Sequence, residues 1–316
     1  MNILINAVSA HSGGGLTYLI NVGRELARDS RGNEYRFLVR SDRAGALQEI
    51  ESEHCRVEPI SCRNVAHRLW WEQTVLPRLS RRYDVLFCAA DLAPLWKPIP
   101  TLVSLRNLNI YDHTYYSTAR LKFFRRAAGL GLRSIDRALF PSNAAAERIG
   151  GIVGLPPEKG SVIHYGIDPE RFKSLEPERE DPSSPPYVLI PASVERHKNF
   201  EVVVDSIPHS SHAELQFWIA GSDVTDPEYV ESIRDRARRQ GVESRLRFLG
   251  AVDYSRIPDL YARAAIALLP SFLETFGHPL LEAMICRTPL VVSDIPVFRE
   301  IAGDDAWYFP IRDGAA

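Results

Sequence analysis

The chain has 316 residues, with 38 basic against 40 acidic side chains and a formal charge of −2 at neutral pH. No global field therefore favours nucleic acid, and any phosphate recognition must be local. Single hydrophobic cores stop growing near roughly 250–300 residues, so two α/β domains are expected. The four cysteines, Cys55, Cys62, Cys88 and Cys286, form no C-x2-C pair and read as reduced thiols of a cytosolic protein.

Residues 2–8 (NILINAV) form a short apolar run bounded by turn formers, the pattern of a buried parallel strand. Met1 to Ala10 carries no basic leader and is unlike a signal peptide. No apolar run approaches the ~20 residues needed to span a bilayer. A glycine loop follows, then a helical pattern, and the alternation repeats with strands at 36–39, 85–88, 101–105, 138–141 and 161–164. Residues 174–186 (SLEPEREDPSSPP) hold four prolines and many charges and read as a linker. Strands resume at 187–191, 215–220, 245–249, 265–269 and 289–293. The expected fold class is α/β, with two Rossmann-like doubly wound parallel-sheet domains at 1–173 and 187–316.

Three segments at strand ends carry chemistry. In His11-Ser12-Gly13-Gly14-Gly15-Leu16-Thr17, the glycines Gly13, Gly14 and Gly15 let backbone amides approach a ligand closely. The loop is neither a G-x-G-x-x-G fingerprint nor a P-loop, and a plain tight turn explains it equally simply. After the first strand of the second half comes Glu195-Arg196-His197-Lys198-Asn199, whose basic side chains are placed to meet a diphosphate. Surface solvation is the competing reading.

The third segment runs from Ser271 to Glu282 (SFLETFGHPLLE). Gly277 and Pro279 suit a sharp turn into a helix, which puts Glu274 in a loop at the carboxyl end of a strand and Glu282 about one turn into the helix. Backbone amides of 276–280 would face an anionic or hydroxyl-rich ligand, with His278 in the same loop. Two carboxylates near a phosphate make sense if they grip sugar or ribose hydroxyls. Alternatively, Glu274 caps the helix and Glu282 is a solvated charge.

Taken in order, these residues resemble glycosyltransferase family 4, also called glycosyl transferases group 1, of the two-domain GT-B fold. The resemblance rests on the E-x7-E spacing of Glu274 and Glu282, on Pro289 to Ser293 with Arg299-Glu300, and on Glu195 to Asn199. Phe248-Leu249-Gly250 with Leu260-Tyr261, His164-Tyr165-Gly166-Ile167-Asp168 and Trp71-Glu72-Gln73 add to it. It implies two domains facing a cleft, a nucleotide-diphosphate sugar as co-substrate, no cofactor, and retention of anomeric configuration without a metal. It further implies that the glycine loop, Arg196 and Lys198 meet the phosphates and that Glu274 lies against the donor sugar. Glu282 would hold the ribose hydroxyls, helped by Phe276 and Gly277. Glu274, Lys198 and Arg196 are then the expected catalytic set, and the partners are a nucleotide sugar and a glycan or lipid-linked acceptor.

Two departures stand out. Many relatives carry a histidine after the fourth strand of the first domain, where this chain reads Ser104-Leu105-Arg106-Asn107-Leu108; Arg106 or Asn107 is the expected substitute for sugar or acceptor contact, with Asp112 and His113 close by. The chain stops at Ala316 where relatives usually continue, so the C-terminal domain is expected to be incomplete. These departures keep open a catalytically impaired GT-B scaffold or binding protein, and a GT-B sugar-nucleotide epimerase is the other alternative. Residues 118–137 carry six basic side chains among Leu, Phe and Ile. They read either as a peripheral contact on the inner face of a membrane or as an ordinary surface helix. Trp70 and Trp71 are expected to pack within their own domain more readily than to stack on a sugar.

Overall fold

The computed structural model describes residues 1–9, 14–112, 119–172, 185–312 and 314. The chain divides into two compact units, Met1–Ile163 and His164–Ala316. The segment read as a linker lies mostly outside the described residues, as do Gly13 and His113.

The first unit holds strands β1 (Asn2–Asn6), β2 (Glu34–Arg40), β3 (Cys55–Ile60), β4 (Val85–Cys88), β5 (Thr101–Ser104), β6 (Arg137–Phe140) and β7 (Gly160–Val162). Its helices are α1 (Gly14–Ala27), α2 (Val65–Ser80), α3 (Leu108–Tyr111), α4 (Ala119–Leu132) and α5 (Asn143–Val153). The strands pair in the order β3-β2-β1-β4-β5-β6-β7, every ladder parallel. Ile5, Phe37, Leu47, Ile50 and Phe87 are among its buried core residues.

The second unit repeats the plan with β8 (Tyr187–Ile190), β9 (Gln216–Ala220), β10 (Leu246–Gly250), β11 (Ile266–Leu269), β12 (Leu290–Ser293) and β13 (Trp307–Phe309). Helices α6 (Phe200–Ser206), α7 (Pro227–Arg239), α8 (Ile257–Arg263), α9 (His278–Ile285) and α10 (Pro296–Ala302) alternate with them. The order is β10-β9-β8-β11-β12-β13, again all parallel. Every residue of β8 is buried, which is why a strand covered on both faces reads as a continuous apolar run. Phe200, Val204, Phe217, Ile219 and Ile233 pack around it, each such side chain worth about 1.5–3 kcal/mol when fully buried.

Two strands escape the apolar-run criterion. β3 (CRVEPI) carries Arg56, Glu58 and Pro59 and lies at a sheet edge, where proline and charge are tolerated. β13 is an edge strand of three residues.

What positions the sites is the reversal of strand order. Sequential strands run outward from β1 and then restart at β4 on its other side; in the second unit the same happens between β8 and β11. Loops at the carboxyl ends of such a pair leave in opposite directions and open a crevice there. Gly221, just after β9, shows how closely loops approach at this edge: a Cβ on it would fall 2.2 Å from the carbonyl oxygen of Ala192, so only glycine fits. Among the described residues no helix is long and apolar enough to cross a membrane.

Candidate functional site

The second unit's switch point is flanked by the loop after β8 and the loop after β11, and these two loops are tied together. Arg196–Lys198 form a 3-10 turn that ends at Asn199, a residue in the left-handed region with φ 55°. Asparagine tolerates that conformation, and its buried amide donates to the carbonyls of Pro270 at 3.1 Å and Ile311 at 2.8 Å. The Phe272 amide donates to the His197 carbonyl at 2.8 Å. His197 itself is buried, and burial, reinforced by the Lys198 charge, pulls its pKa down to about 4.

This stitching brings Lys198 to Glu274. The Lys198 ammonium donates to Glu274 Oε1, and the hydroxyl of Ser271 donates to the same oxygen at 3.1 Å. Both charged side chains are only 17% exposed. Burial pushes the Glu274 carboxyl up, but the charge and hydrogen bond of Lys198, with His197 and Ser271, outweigh it and hold the group below the usual carboxylate range. Ser271 is held in turn by Ser293, whose hydroxyl donates to its carbonyl at 2.5 Å.

Glu274 therefore does not cap α9. Gly277 does, at φ 90° and ψ 63°, with Pro279 in the first turn. The amide row expected to face a ligand narrows to 276–278, since Pro279 has no N–H and the Leu280 amide donates to the Gly277 carbonyl at 2.9 Å.

Glu282, on α9, is not a solvated charge either: it is 7% exposed. Tyr254 donates to its Oε1 at 2.9 Å and the Tyr261 hydroxyl lies 3.0 Å from its Oε2. Burial raises its pKa, opposed by these two contacts. Two phenols thus fix the carboxylate's orientation and leave lone pairs on both oxygens, since a carboxylate offers about four acceptor positions. The His164-Tyr165 motif packs on the same loop. Tyr165 stacks on His278 at 4.8 Å between ring centroids and meets Phe276 edge-on at 5.0 Å, while His164 pairs with Glu300 at 2.9 Å.

Arg196 is not brought to the Lys198–Glu274 pair. Its Nε donates to Asp226, the N-cap of α7, at 3.0 Å, and its guanidinium lies 5.2 Å from the Tyr229 ring centroid.

In the first unit, Gly14 and Gly15 open α1 at the carboxyl end of β1. Arg106 follows β5 and its guanidinium lies 4.2 Å from the ring centroid of Tyr18, on α1. Asn107 caps α3, accepting from the Asn109 amide at 3.1 Å. Asp112 is paired with Arg148. On α2, Trp71 is buried and Trp70 is exposed, stacked on His67. Glu72, also buried, accepts from the side chain of Asn6 at 3.1 Å with Arg68 3.6 Å from its other oxygen.

Sequence reasoning missed Tyr254, which holds Glu282, and Ser271 and Ser293, which hold the Glu274 loop. Only the position of Ser271 beside Glu274 in the SFLE stretch offered a signal.

Comparison with known proteins decides the family. The family described as Glycosyltransferase Family 4 matches residues 12–171, and Glycosyl transferases group 1 matches residues 172–313. The chain belongs to glycosyltransferase family 4.

This family 4 chain is 27% identical over 214 residues to the O-antigen chain mannosyltransferase RfbU of Salmonella typhimurium, an alignment covering 66% of it and 58% of that protein. It is 31% identical over 121 residues to the O-antigen chain mannosyltransferase B of Escherichia coli, covering 37% and 31%. With D-inositol 3-phosphate glycosyltransferase 2 of Catenulispora acidiphila it shares 27% over 186 residues, 51% of this chain and 40% of that one. The matched stretches thus span between 31% and 58% of these relatives' own length. Among solved structures, Anabaena Alr3699/HepE in complex with UDP-glucose superposes with a TM-score of 0.80 at 18% identity, covering 100% of this chain and 87% of that one. The sucrose-phosphate synthase of Thermosynechococcus elongatus gives the same score, identity and coverage. These likenesses show the GT-B fold for the family 4 chain.

Proposed function

We propose that the chain transfers a hexosyl group from a nucleoside-diphosphate sugar to a glycan or lipid-linked acceptor, with retention and without a metal. The observation that carries this reading is the largely buried Lys198–Glu274 pair at the β8/β11 switch point. A buried ion pair is weak as a stabilising device, and placed where open α/β sheets bind ligands it supports a role in binding.

The residues divide the work as follows. The donor's diphosphate accepts from Lys198, and Glu274 turns from the ammonium to the hydroxyls of the sugar. Glu282, oriented by its two tyrosines, accepts from the ribose hydroxyls, while amides around Phe276, Gly277 and His278 face the phosphates. As the bond from the anomeric carbon to the phosphate oxygen breaks, negative charge grows on the leaving diphosphate, and Lys198 stabilises it; one such group is typically worth about 10²–10³ in rate. The acceptor oxygen takes that carbon on the face the phosphate leaves, and its proton passes to the departing phosphate. Arg196 plays the weaker part, since it must first leave Asp226. Arg106 and Asn107 contact the sugar or the acceptor.

The O-antigen relatives support a place in the building of surface polysaccharide. On α4, Phe123, Arg126 and Leu130 are exposed at i, i+3 and i+7, with Lys122 also exposed. That face supports peripheral contact with an anionic membrane from the cytoplasmic side.

The test is release of nucleoside diphosphate from UDP-glucose, GDP-mannose and the ADP- and dTDP-linked sugars, with the anomeric configuration of the product read by NMR. Release from one donor with retention supports the reading; inversion, or no release from any donor, contradicts it.

A further inference from the structure

At the switch point of the first unit stands a carboxylate that the proposed chemistry leaves unused. Asp91 lies three residues past β4 and is 5% exposed. Its backbone sits in the left-handed region at φ 51°, a conformation that non-glycine residues keep only where the surroundings impose it and that gathers at functional sites.

Among the described residues, Asp91 makes its hydrogen bonds to the segment from β5 into α3. Its amide donates to the Ser104 carbonyl at 2.9 Å. Its Oδ1 accepts the amides of Arg106 at 2.9 Å and Asn107 at 3.0 Å, and its carbonyl accepts the buried Tyr111 hydroxyl at 2.8 Å. A single carboxylate oxygen therefore holds two successive amides of the one turn that carries Arg106 and Asn107. Arg106 in turn lies against Tyr18, on the helix that follows the glycine loop.

A tight turn after a strand needs no buried charge to form; asparagine or serine would accept the same amides. Burial pushes the Asp91 carboxyl up, with the Arg106 charge and the two donated amides opposing it, so the clamp is the acceptor oxygen itself. We propose that Asp91 is a positioning residue for the transfer reaction: its carboxylate clamps the 105–108 turn so that Arg106 is set against Tyr18 beside the glycine loop. The proposal rests on the transferase reading above, and it assigns the role that a side chain after β5 plays to a pair of residues from two different strands.

Two substitutions separate clamp from fold. Asp91→Gly adopts the left-handed backbone without strain but deletes the acceptor, whereas Asp91→Asn keeps both the conformation and an Oδ1 acceptor. Both are measured in the full chain by turnover of UDP-glucose and GDP-mannose, with water as acceptor, and by hydrogen exchange of the 105–108 amides. Asp91→Gly is expected to lose about 10–100-fold in kcat at unchanged donor KM, with Asp91→Asn within about 3-fold of wild type, because small misplacement of a contacting group has effects of that size. Exchange at 105–108 accelerates in Asp91→Gly alone, and Asp91→Gly adds no further loss to Arg106→Ala.

Unchanged kcat in Asp91→Gly, equal losses in both variants, or losses that multiply with Arg106→Ala overturn the assignment. If the wild type turns over neither donor, the transferase reading fails and takes the catalytic role of Asp91 with it; faster exchange in Asp91→Gly would then mark a purely structural clamp.

Discussion

The ammonium of Lys198 and the carboxylate of Glu274, 76 residues apart in sequence, meet because β8 and β11 are adjacent strands whose following loops share one sheet edge. Removing one partner strands the other charge in a site where each side chain is 17% exposed. Lys198→Met is expected to lower stability by roughly 1–3 kcal/mol, and adding Glu274→Gln to restore most of it. Chemical denaturation of the two single variants and the double variant checks this.

The same pair sets an acid limb. Glu274 has a depressed pKa in the folded state, so its stabilising contribution is present above the ordinary glutamate value of about 4.3 and is lost as pH falls through the lower folded value. Wild type should lose stability over that window more steeply than Glu274→Gln, as read from melting temperatures at stepped pH.

Glu282 runs the other way. Its pKa is raised by burial, so the folded state binds the proton more tightly and stability falls as pH rises from the unfolded value of about 4.3 through the raised one. Glu282→Gln should therefore be at least as stable as wild type at pH 7. Yet it should bind nucleoside diphosphates about 10-fold or more weakly, since charge-assisted hydrogen bonds to ribose are worth roughly 1.5–3 kcal/mol. Calorimetric titration against denaturation separates the two effects.

Gly277→Ala places a Cβ 2.8 Å from Phe298 Cε1 at φ 90°. Steric contact and left-handed strain together predict a loss of about 1–3 kcal/mol, measurable as a lower melting temperature. Arg196→Ala, by contrast, removes a side chain 47% exposed and paired with Asp226, so its stability cost should stay below about 1 kcal/mol. It should also weaken nucleotide binding less than Lys198→Met does.

The doubly wound order was legible because buried parallel strands such as YVLI are apolar runs with helices between them. The place of Glu274 and Lys198 in strand-end loops was legible from the charge and glycine that follow each apolar run, but their pairing was not. The burial of Glu282 was not legible: Tyr254 and Tyr261 stand 28 and 21 residues away from it, and no local pattern states that their hydroxyls converge. The diversion of Arg196 to Asp226 escaped for the same reason, since the two stand 30 residues apart. Asp91 sits in CAADLAP, where nothing in the spacing announces a left-handed backbone or two amides donated from the next strand's turn.

The central claim is that the second unit binds a nucleoside diphosphate through Lys198, Glu274 and Glu282. Thermal stability of wild type and Glu282→Gln with UDP, GDP, ADP and dTDP tests it most directly, because a ligand at about 100 times its Kd stabilises by about 2.7 kcal/mol. The account predicts that one of the four raises the melting temperature of wild type by several degrees and that of Glu282→Gln by about half as much or less. Equal shifts in both proteins, or no shift with any nucleotide, would contradict it.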